Sequence, residues 1–243
     1  MKAIVIGATS GIGLEVARLL AQKGWTVGIG GRREELLEAL VNDTPGIVAW
    51  RRIDVTAPDA PEQLTALADE MGGIDLYFHA SGIGYQNLSL NADEELATVR
   101  TNGEGFTRML TAAFNMFAAR GGGHIAAITS IAGTKGLGAA PAYSATKRFQ
   151  RHYLESLEQL AHMRRLPIRF TEIRPGFVST ALLKDDYYPL QMQPAAVAAS
   201  IVKAVEKKRR VKTIDWRYRI LVFFWGLIPR CLWVRMNVRS KEA

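Results

Sequence analysis

The sequence predicts an α/β fold in which a doubly wound parallel sheet of about seven strands carries helices on both faces. Two observations predict it. Short apolar runs alternate with amphipathic helical patterns along most of the 243 residues, and a glycine-rich turn follows the first run. Strands are expected at 2–6, 25–30, 47–54, 74–79, 123–130, 168–174 and 211–215. Helices are expected between them, at roughly 11–23, 33–42, 58–71, 93–120, 141–165 and 194–207.

No repeat or linker divides the chain, so we predict a single domain. Its main body covers 1–210, and residues 211–243 form a basic, aromatic extension of the same domain. A hydrophobic content of 48% suffices for one buried core at this length. Because Cys231 is the single cysteine, an internal disulfide is excluded and a reducing compartment is favoured. The first strand runs directly into the glycine turn, which leaves no signal peptide, so we expect a cytoplasmic protein.

The net charge of +8 lies in the C-terminal part of the chain. Residues 203–243 hold twelve Lys and Arg against three Asp and Glu, whereas the first 202 residues hold 19 basic and 20 acidic side chains. Within this region nine apolar residues run from Ile220 to Ile228, flanked by arginines. The run is too short to span a bilayer, so we expect peripheral contact with an anionic membrane over 216–235. A wall over the substrate pocket and a subunit interface remain alternatives, and we expect no nucleic-acid binding because the run is so apolar.

The segment from Gly7 to Gly13 has the pattern of a dinucleotide-binding turn. It follows an apolar strand and opens an amphipathic helix, which is the context that gives this pattern its meaning. Glycines permit the tight turn, the close approach of a pyrophosphate and the packing of helix on sheet, while the helix N-terminus attracts phosphate. We therefore predict a Rossmann-type, cofactor-binding fold; a strand–turn–helix without a ligand is the alternative.

The second strand ends in Gly31-Arg32-Arg33, where a fold that prefers NAD usually has an acidic residue for the ribose 2′-hydroxyl. A guanidinium instead suits a 2′-phosphate through its bidentate geometry and permanent charge. The sequence therefore favours NADP(H) over NAD(H). The alternative is that Arg32 and Arg33 begin a solvated helix.

Tyr143 and Lys147 lie four residues apart on a predicted helix, so their side chains share a face. A phenol has an ordinary pKa of about 10, and a neighbouring ammonium group favours its phenolate form. Ser130 closes an apolar strand upstream, where its hydroxyl can hold a substrate carbonyl. Together the three side chains predict a hydride-transfer site, whereas Tyr143 and Lys147 alone would indicate only a solvated helix rim.

Three further features complete a recognisable set: Asp54 after the third strand, Asn102 in the run TNGEGF, and the run RPGFVST over 174–180. In this order and spacing the motifs resemble the short-chain dehydrogenase/reductase family over roughly residues 1–210. The resemblance, with the glycine turn, implies cofactor contacts at Gly7, Thr9, Ser10, Gly11, Ile12, Gly13, Arg32, Arg33, Asp54, Gly82, Tyr143, Lys147, Pro175, Gly176, Val178 and Thr180.

The resemblance also implies four catalytic roles. Tyr143 is the general acid that protonates the forming alkoxide, and Lys147 lowers the pKa of Tyr143 and binds the nicotinamide ribose. Ser130 orients the carbonyl oxygen. Asn102 holds a water that links Lys147 to solvent.

One segment departs from the family pattern. After the fourth strand the chain has His79-Ala80-Ser81-Gly82 where the family usually has Asn-Asn-Ala-Gly. We interpret His79 as a packed strand-end histidine with a local hydrogen bond rather than as a catalytic residue. The other histidines, His124, His152 and His162, share no ligand-like spacing with one another or with Cys231, so no metal site is predicted.

Residues 177–192 occupy the position of the substrate lid in this family, and their Phe, Leu, Tyr and Met content favours a hydrophobic or elongated substrate. Packing against the fold or a partner subunit is the alternative. Candidate substrate contacts are Phe177, Leu182, Leu183 and Tyr187. Reductases of 3-ketosphinganine are one candidate branch of the family.

The sequence thus predicts NADPH-dependent reduction of a ketone to an alcohol, on a hydrophobic or lipid-like substrate. Two alternatives remain: an NADP(H)-binding regulator or scaffold without turnover, and an alcohol dehydrogenase acting in the oxidative direction. The resemblance suggests a homodimer or homotetramer through the helices at 93–120 and 141–165. We expect the protein in the cytoplasm, associated with the inner face of a membrane.

Overall fold

The computed structural model describes residues 1–180 and 190–238, and it contains a seven-stranded parallel sheet in the order β3-β2-β1-β4-β5-β6-β7. The predicted Rossmann-type fold is confirmed, and each strand lies where the sequence placed one. The strands are β1 Lys2–Ile6, β2 Thr26–Gly31, β3 Ile47–Arg52, β4 Leu76–His79, β5 Gly123–Ile128, β6 Ile168–Arg174 and β7 Val211–Thr213.

Helices cover both faces of the sheet. They are α1 Gly11–Gln22, α2 Glu34–Asp43, α3 Ala60–Glu70, α4 Ala92–Val99, α5 Phe106–Arg120, α6 Pro141–Met163, α7 Pro194–Glu206, α8 Trp216–Leu227 and α9 Arg230–Trp233. A short 3-10 turn, Ile131–Thr134, follows β5. The predicted helix at 93–120 is divided, because a π-helical turn, Arg100–Gly105, joins α4 to α5. Such turns interrupt the regular hydrogen-bond ladder and often occur at functional sites.

Two hydrophobic cores, one on each face, hold the layers together. Because side chains alternate along a strand, Val5 and Ile6 of β1 are both fully buried but enter opposite cores. Helices α1, α2 and α7 cover the first core, and α3, α5 and α6 cover the second. The chain leaves β1 toward β2 on one side and later returns to β4 on the other. Such a reversal opens a crevice at the carboxyl ends of the strands, where ligands bind in this fold.

The sequence did not predict helices for the C-terminal region, yet the structure contains α8 and α9 there. Asp215 caps α8 by accepting a hydrogen bond from the Arg217 backbone N–H at 2.9 Å. A helix with apolar side chains around most of its circumference lacks the one-sided periodicity on which a sequence prediction relies. Over the two described ranges, no helix has the length and hydrophobicity needed to cross a membrane.

Candidate active site

The structure brings the four predicted catalytic residues into one crevice at the carboxyl edge of the sheet. Ser130 follows β5, Asn102 lies in the π-helical turn, and Tyr143 and Lys147 lie in the first two turns of α6. Asn102 is fully buried, while Ser130 and Lys147 are 6% and 4% exposed. The Ser130 hydroxyl accepts a hydrogen bond from the Ala132 backbone N–H at 3.1 Å, which fixes it at the start of the 3-10 turn.

Tyr143 is held between Ser130 and the loop after β4. A Cβ added at Gly84 would lie 2.4 Å from Cδ2 of the Tyr143 ring, so the loop packs too closely on the phenol ring for any residue larger than glycine at this position. Burial raises the pKa of the Tyr143 phenol, and the hydrogen bond with Ser130 only partly opposes this. The direction is opposite to the lowering by Lys147 that the resemblance implied. A raised pKa keeps the phenol protonated near neutral pH, the form that a proton donor needs.

Lys147 lies beneath the Tyr143 ring, with its Nζ 5.6 Å from the ring centroid. The ammonium donates to the Ile128 carbonyl at 3.3 Å and to Gln150 Oε1 at 2.9 Å. Burial lowers the pKa of Lys147 to about 7. The lysine is therefore close to half protonated near neutral pH, which suits a residue that passes protons on.

Gln150 is a site residue that the sequence reasoning missed. It is fully buried, and its amide joins two of the predicted catalytic residues, because Nε2 donates to the Asn102 carbonyl at 2.9 Å while Oε1 accepts from Lys147. The Gln150 amide thus connects Lys147 to the Asn102 backbone carbonyl directly. The available signal was a polar side chain three residues after Lys147, on the same helix face.

Asn102 braces the loop after β4 rather than facing the phenol. Its Oδ1 accepts from the Ile83 N–H at 2.9 Å, and its Nδ2 donates to the Ile83 carbonyl at 2.6 Å and to Thr146 Oγ1 at 3.3 Å. The side chain thus ties that loop to α6. A Cβ at the neighbouring Gly82 would lie 3.2 Å from Asn102 Oδ1 and 3.5 Å from Lys147 Nζ, so Gly82 borders the same site.

The turn between β1 and α1 forms a cradle that fits a dinucleotide phosphate. Gly7 has a φ of +86°, and a Cβ there would lie 2.7 Å from the Ser81 backbone nitrogen. Ser10 precedes α1, makes no side-chain capping bond to it, and the first turn of α1 has no acidic residue. The helix N-terminus therefore presents its N–H groups without a competing anion. Thr180 lies across the turn, with its methyl carbon 3.1 Å from a Cβ built on Gly11.

Two arginines, Arg32 and Arg33, lie at the end of β2 beside this cradle. Arg33 crosses the glycine turn and donates to Thr9 Oγ1 from Nε at 3.2 Å and from Nη2 at 2.7 Å. Arg32 is exposed beside Asp54. Burial opposes ionisation of Asp54, but hydrogen bonds from Thr56 and the charges of Arg32 and Arg52 hold its pKa below the ordinary value. Asp54 is thus anionic at neutral pH and lies beside Arg32, while Arg52 is paired with Glu34 at 3.4 Å.

The segment after β6 connects the site to the C-terminal helices. The Pro175 carbonyl accepts from the Ile131 N–H at 3.1 Å, and Val178 is buried. A Cβ at Gly176 would lie 2.3 Å from the Tyr218 ring, and the Phe177 N–H donates to Tyr218 Oη at 3.2 Å. Tyr218 of α8, which the sequence reasoning did not select, therefore supports this segment. The predicted contacts Leu182, Leu183 and Tyr187 lie outside the described residues.

The histidines make local hydrogen bonds. His79 is fully buried, its Nδ1 lies 2.8 Å from Tyr77 Oη, and burial lowers its pKa to about 3. His124 Nε2 lies 2.8 Å from Thr171 Oγ1, and burial lowers the pKa of His124 to about 4. Both rings are therefore neutral near pH 7 and act in packing. In the part of the chain that the structure describes, no three His, Cys, Asp or Glu side chains are grouped closely enough to hold a metal ion.

Comparison with known proteins agrees with this geometry. A family model described as short chain dehydrogenase matches residues 1–188. An uncharacterized oxidoreductase of Mycobacterium tuberculosis (strain CDC 1551 / Oshkosh) is 30% identical over 244 residues, covering 96% of this chain and 93% of that protein. An uncharacterized oxidoreductase of Myxococcus xanthus (strain DK1622) is 34% identical over 194 residues, covering 77% of this chain and 76% of that protein.

Two solved structures share the fold. A short chain dehydrogenase from Burkholderia cenocepacia J2315, in complex with NADP, has a TM-score of 0.82 at 20% identity and covers 98% of each chain. An actinorhodin polyketide ketoreductase with NADPH has a TM-score of 0.76 at 25% identity, covering 88% of this chain and 95% of that chain. The glycine turn, the Ser130–Tyr143–Lys147 group and the family match lead to one conclusion: the chain belongs to the short-chain dehydrogenase/reductase family and is an oxidoreductase of that family.

Proposed function

We propose that the protein reduces a ketone to an alcohol with NADPH. The observation that carries this proposal is the Tyr143 phenol, which burial keeps protonated and which Ser130 contacts through a hydrogen bond. When bound, a nicotinamide dinucleotide supplies hydride chemistry, so the protein must supply position and a proton. Ser130 holds the carbonyl oxygen, and Tyr143 donates its proton to that oxygen as negative charge develops there.

The buried chain behind Tyr143 supports a route for replacing that proton. Lys147 lies under the phenol ring, and Gln150 connects it to the Asn102 carbonyl. An ammonium close to a phenolate stabilises it after proton donation. The raised pKa keeps Tyr143 in the protonated form that ketone reduction needs, whereas alcohol oxidation would need the phenolate.

Preference for NADP(H) rests on Arg32 and Arg33 at the end of β2. Arg33 crosses the glycine turn to Thr9 and Arg32 is exposed beside it, which supports a role for their guanidinium groups in binding a 2′-phosphate. The two solved neighbours named above hold NADP or NADPH. We expect Arg33→Ala to raise the KM for NADPH at least tenfold while changing the KM for NADH little. Arg120→Ala, which removes an arginine of the Asp69 ion pair at the far end of α5, serves as the matched control.

The substrate is proposed to be hydrophobic or lipid-like. Phe177 and the buried Tyr218 meet edge to face, with ring centroids 6.3 Å apart, and give this side of the site an apolar wall. A long-chain ketone of the 3-ketosphinganine type is a suitable test compound. The proposal includes a cytoplasmic enzyme at the inner face of a membrane.

We further propose a homodimer or homotetramer that assembles through α4–α6. Leu96, Val99 and Phe149 are 49%, 46% and 43% exposed on these helices, a level of apolar exposure that favours a subunit contact. Ala145, Thr146 and Phe149 line a groove of about 620 Å³ between the π-helical turn and α6.

The direct test compares the wild-type protein with Tyr143→Phe on a panel of hydrophobic ketones. NADPH consumption and alcohol formation should match one to one in the wild type and fall by at least a thousandfold in the variant. NADPH binding, measured separately by fluorescence, should be retained. An equally active Tyr143→Phe variant would refute the assignment, and tight NADPH binding without turnover on any ketone would favour a regulator or scaffold.

A further inference from the structure

We propose that the outer face of α8 and α9 is a docking surface for an anionic lipid bilayer, which brings the substrate side of the active site close to the membrane. Its exposed apolar residues are Trp216, Ile220, Phe223, Phe224 and Leu227 of α8, Leu232 of α9, and Val234 and Met236 directly after α9; we call them the apolar face. Lipid docking is independent of the chemistry at Tyr143. The benefit of that placement for substrate entry rests on the proposed function.

The inner side of α8 and α9 is fixed on the fold. Tyr218 Oη donates to the Leu190 carbonyl at 3.1 Å and accepts from the Phe177 N–H. Trp233 is 8% exposed, and its Nε1 donates to the Gly136 carbonyl at 2.7 Å. Lys135 Nζ donates to the Ile228 carbonyl at 2.7 Å. These contacts hold α8 and α9 in one orientation, so the opposite side is a defined surface and not a loose tail.

The apolar face is large for an exposed surface. Five of its side chains are 58–67% exposed: Trp216 at 66%, Phe223 at 63%, Phe224 at 58%, Leu227 at 64% and Val234 at 67%. Along α8 the exposed apolar positions recur at spacings of three and four residues, so they share one side of the helix. Aromatic side chains have about 150–250 Å² of surface each, so the patch exceeds the ~400 Å² above which an exposed apolar patch needs a partner.

The charges around the apolar face identify the partner. Between residues 216 and 238 the chain has four arginines, Arg217, Arg219, Arg230 and Arg235, and no Asp or Glu. Arg217 is paired with Asp215, and the other three have no ion pair within the described ranges. If a second copy of this chain docked through the same face, a two-fold contact would bring like charges together. Arginines around aromatic and aliphatic side chains instead match anionic headgroups over an apolar interior.

The apolar face lies beside the substrate side of the active site. Its supporting residues contact Phe177 and Leu190, on either side of the segment after β6, and Gly136, which follows the 3-10 turn that Ser130 begins. Helices α8 and α9 lie between this face and those segments, so a bilayer on the face would be about one helix diameter, roughly 10 Å, from them. For a hydrophobic ketone held in the lipid phase, this short distance would favour delivery to the site.

The test is vesicle co-sedimentation of the full chain with two lipid mixtures, pure phosphatidylcholine and phosphatidylcholine containing phosphatidylglycerol. We expect binding to the anionic vesicles, weaker binding at high salt and much weaker binding to the neutral vesicles. The variant Phe223→Ser with Phe224→Ser should lower the partition coefficient at least tenfold. Because both side chains are exposed, its turnover of a water-soluble ketone should equal that of the wild type.

Two further variants complete the design. A triple variant that combines Arg219→Ala, Arg230→Ala and Arg235→Ala should bind anionic and neutral vesicles equally. Val48→Ser with Met163→Ser, which changes side chains 53% and 74% exposed elsewhere, should bind like the wild type. Absence of wild-type binding to either vesicle, equal binding to both, or a solution dimer that the Phe223/Phe224 variant dissociates would each overturn lipid docking. Vesicle binding without reduction of any ketone would leave docking intact and refute the proposed function.

Discussion

Replacing Gln150 by leucine should shift the pH dependence of turnover toward acid. The leucine keeps the volume of the buried side chain but removes the acceptor 2.9 Å from Lys147 Nζ and the donor 2.9 Å from the Asn102 carbonyl. Reduction is expected to need the Lys147 ammonium, which stabilises the phenolate left after proton donation. Because burial already lowers the pKa of Lys147 to about 7, the alkaline limb of kcat should lie near neutral pH in the wild type.

The size of the shift follows from the lost hydrogen bond. A hydrogen bond to a charged group contributes about 1.5–3 kcal/mol. One pKa unit corresponds to about 1.4 kcal/mol, so the pKa of Lys147 should fall by about 1–2 units in Gln150→Leu. At slightly alkaline pH this lowers the ammonium fraction, and with it kcat, by about tenfold. Gln150→Glu places a carboxylate at the same position and should move the alkaline limb in the opposite direction.

The assay is kcat for ketone reduction across the neutral range, at saturating NADPH and ketone. Gln159→Leu is the matched control, because Gln159 is an exposed residue of the same helix and should leave the profile unchanged. Opposite shifts of the alkaline limb in the leucine and glutamate variants would support the role of Gln150 in positioning Lys147. A uniform loss of kcat at every pH, with an unchanged midpoint in both variants, would refute this reasoning.

Three more perturbations test separate parts of the account. Gly84→Ala places a methyl group 2.4 Å from the Tyr143 ring, so we expect kcat to fall at least tenfold and the free energy of unfolding to fall by about 1–3 kcal/mol. The control Gly138→Ala adds a Cβ that meets no atom within 4 Å, and it should leave both kcat and stability unchanged. Burial lowers the pKa of Lys147 in the folded protein to about 7 from its ordinary value of 10.5, so Lys147 destabilises the fold fully below about pH 7 and progressively less as the pH rises toward 10.5. In chemical denaturation, the stability of the wild type relative to Lys147→Met should therefore rise by about 2 kcal/mol between pH ~7 and ~9, and a pH-independent difference would contradict the assignment. Tyr218→Phe removes the hydrogen bonds to Phe177 and Leu190, and it should raise the KM for the ketone more than it lowers kcat. The control Tyr153→Phe removes only the contact with Thr111 and should leave both constants unchanged. Equal effects of the two variants would contradict a substrate-side role for Tyr218.

The positions of the strands could be predicted because each is a short apolar run between turn signals. The glycine turn and the order of Ser130, Tyr143 and Lys147 predicted where the site would lie. Helix α8 could not be predicted in the same way, since apolar residues surround it and its inner contacts, such as that of Trp233 with Gly136, come from residues distant in sequence.

Two features of the site depend on burial, which spacing alone does not reveal. The pKa of Tyr143 is raised because the phenol is removed from water, an effect that exceeds the help of neighbouring groups. Gln150 appears in the sequence as one polar residue of a helix. Its role follows from the π-helical turn, which brings the Asn102 carbonyl within 2.9 Å of its amide.

The central claim is that hydride reaches a substrate carbonyl while Tyr143 supplies the proton. Its most direct test uses NADPH deuterated at the transferable position, a hydrophobic ketone, and mass analysis of the alcohol. The account predicts one deuterium on the carbinol carbon with the wild-type protein and at least a thousandfold less labelled product with Tyr143→Phe, although that variant still binds NADPH. Equal label transfer by both proteins, or none by a wild-type protein that binds NADPH tightly, would contradict it.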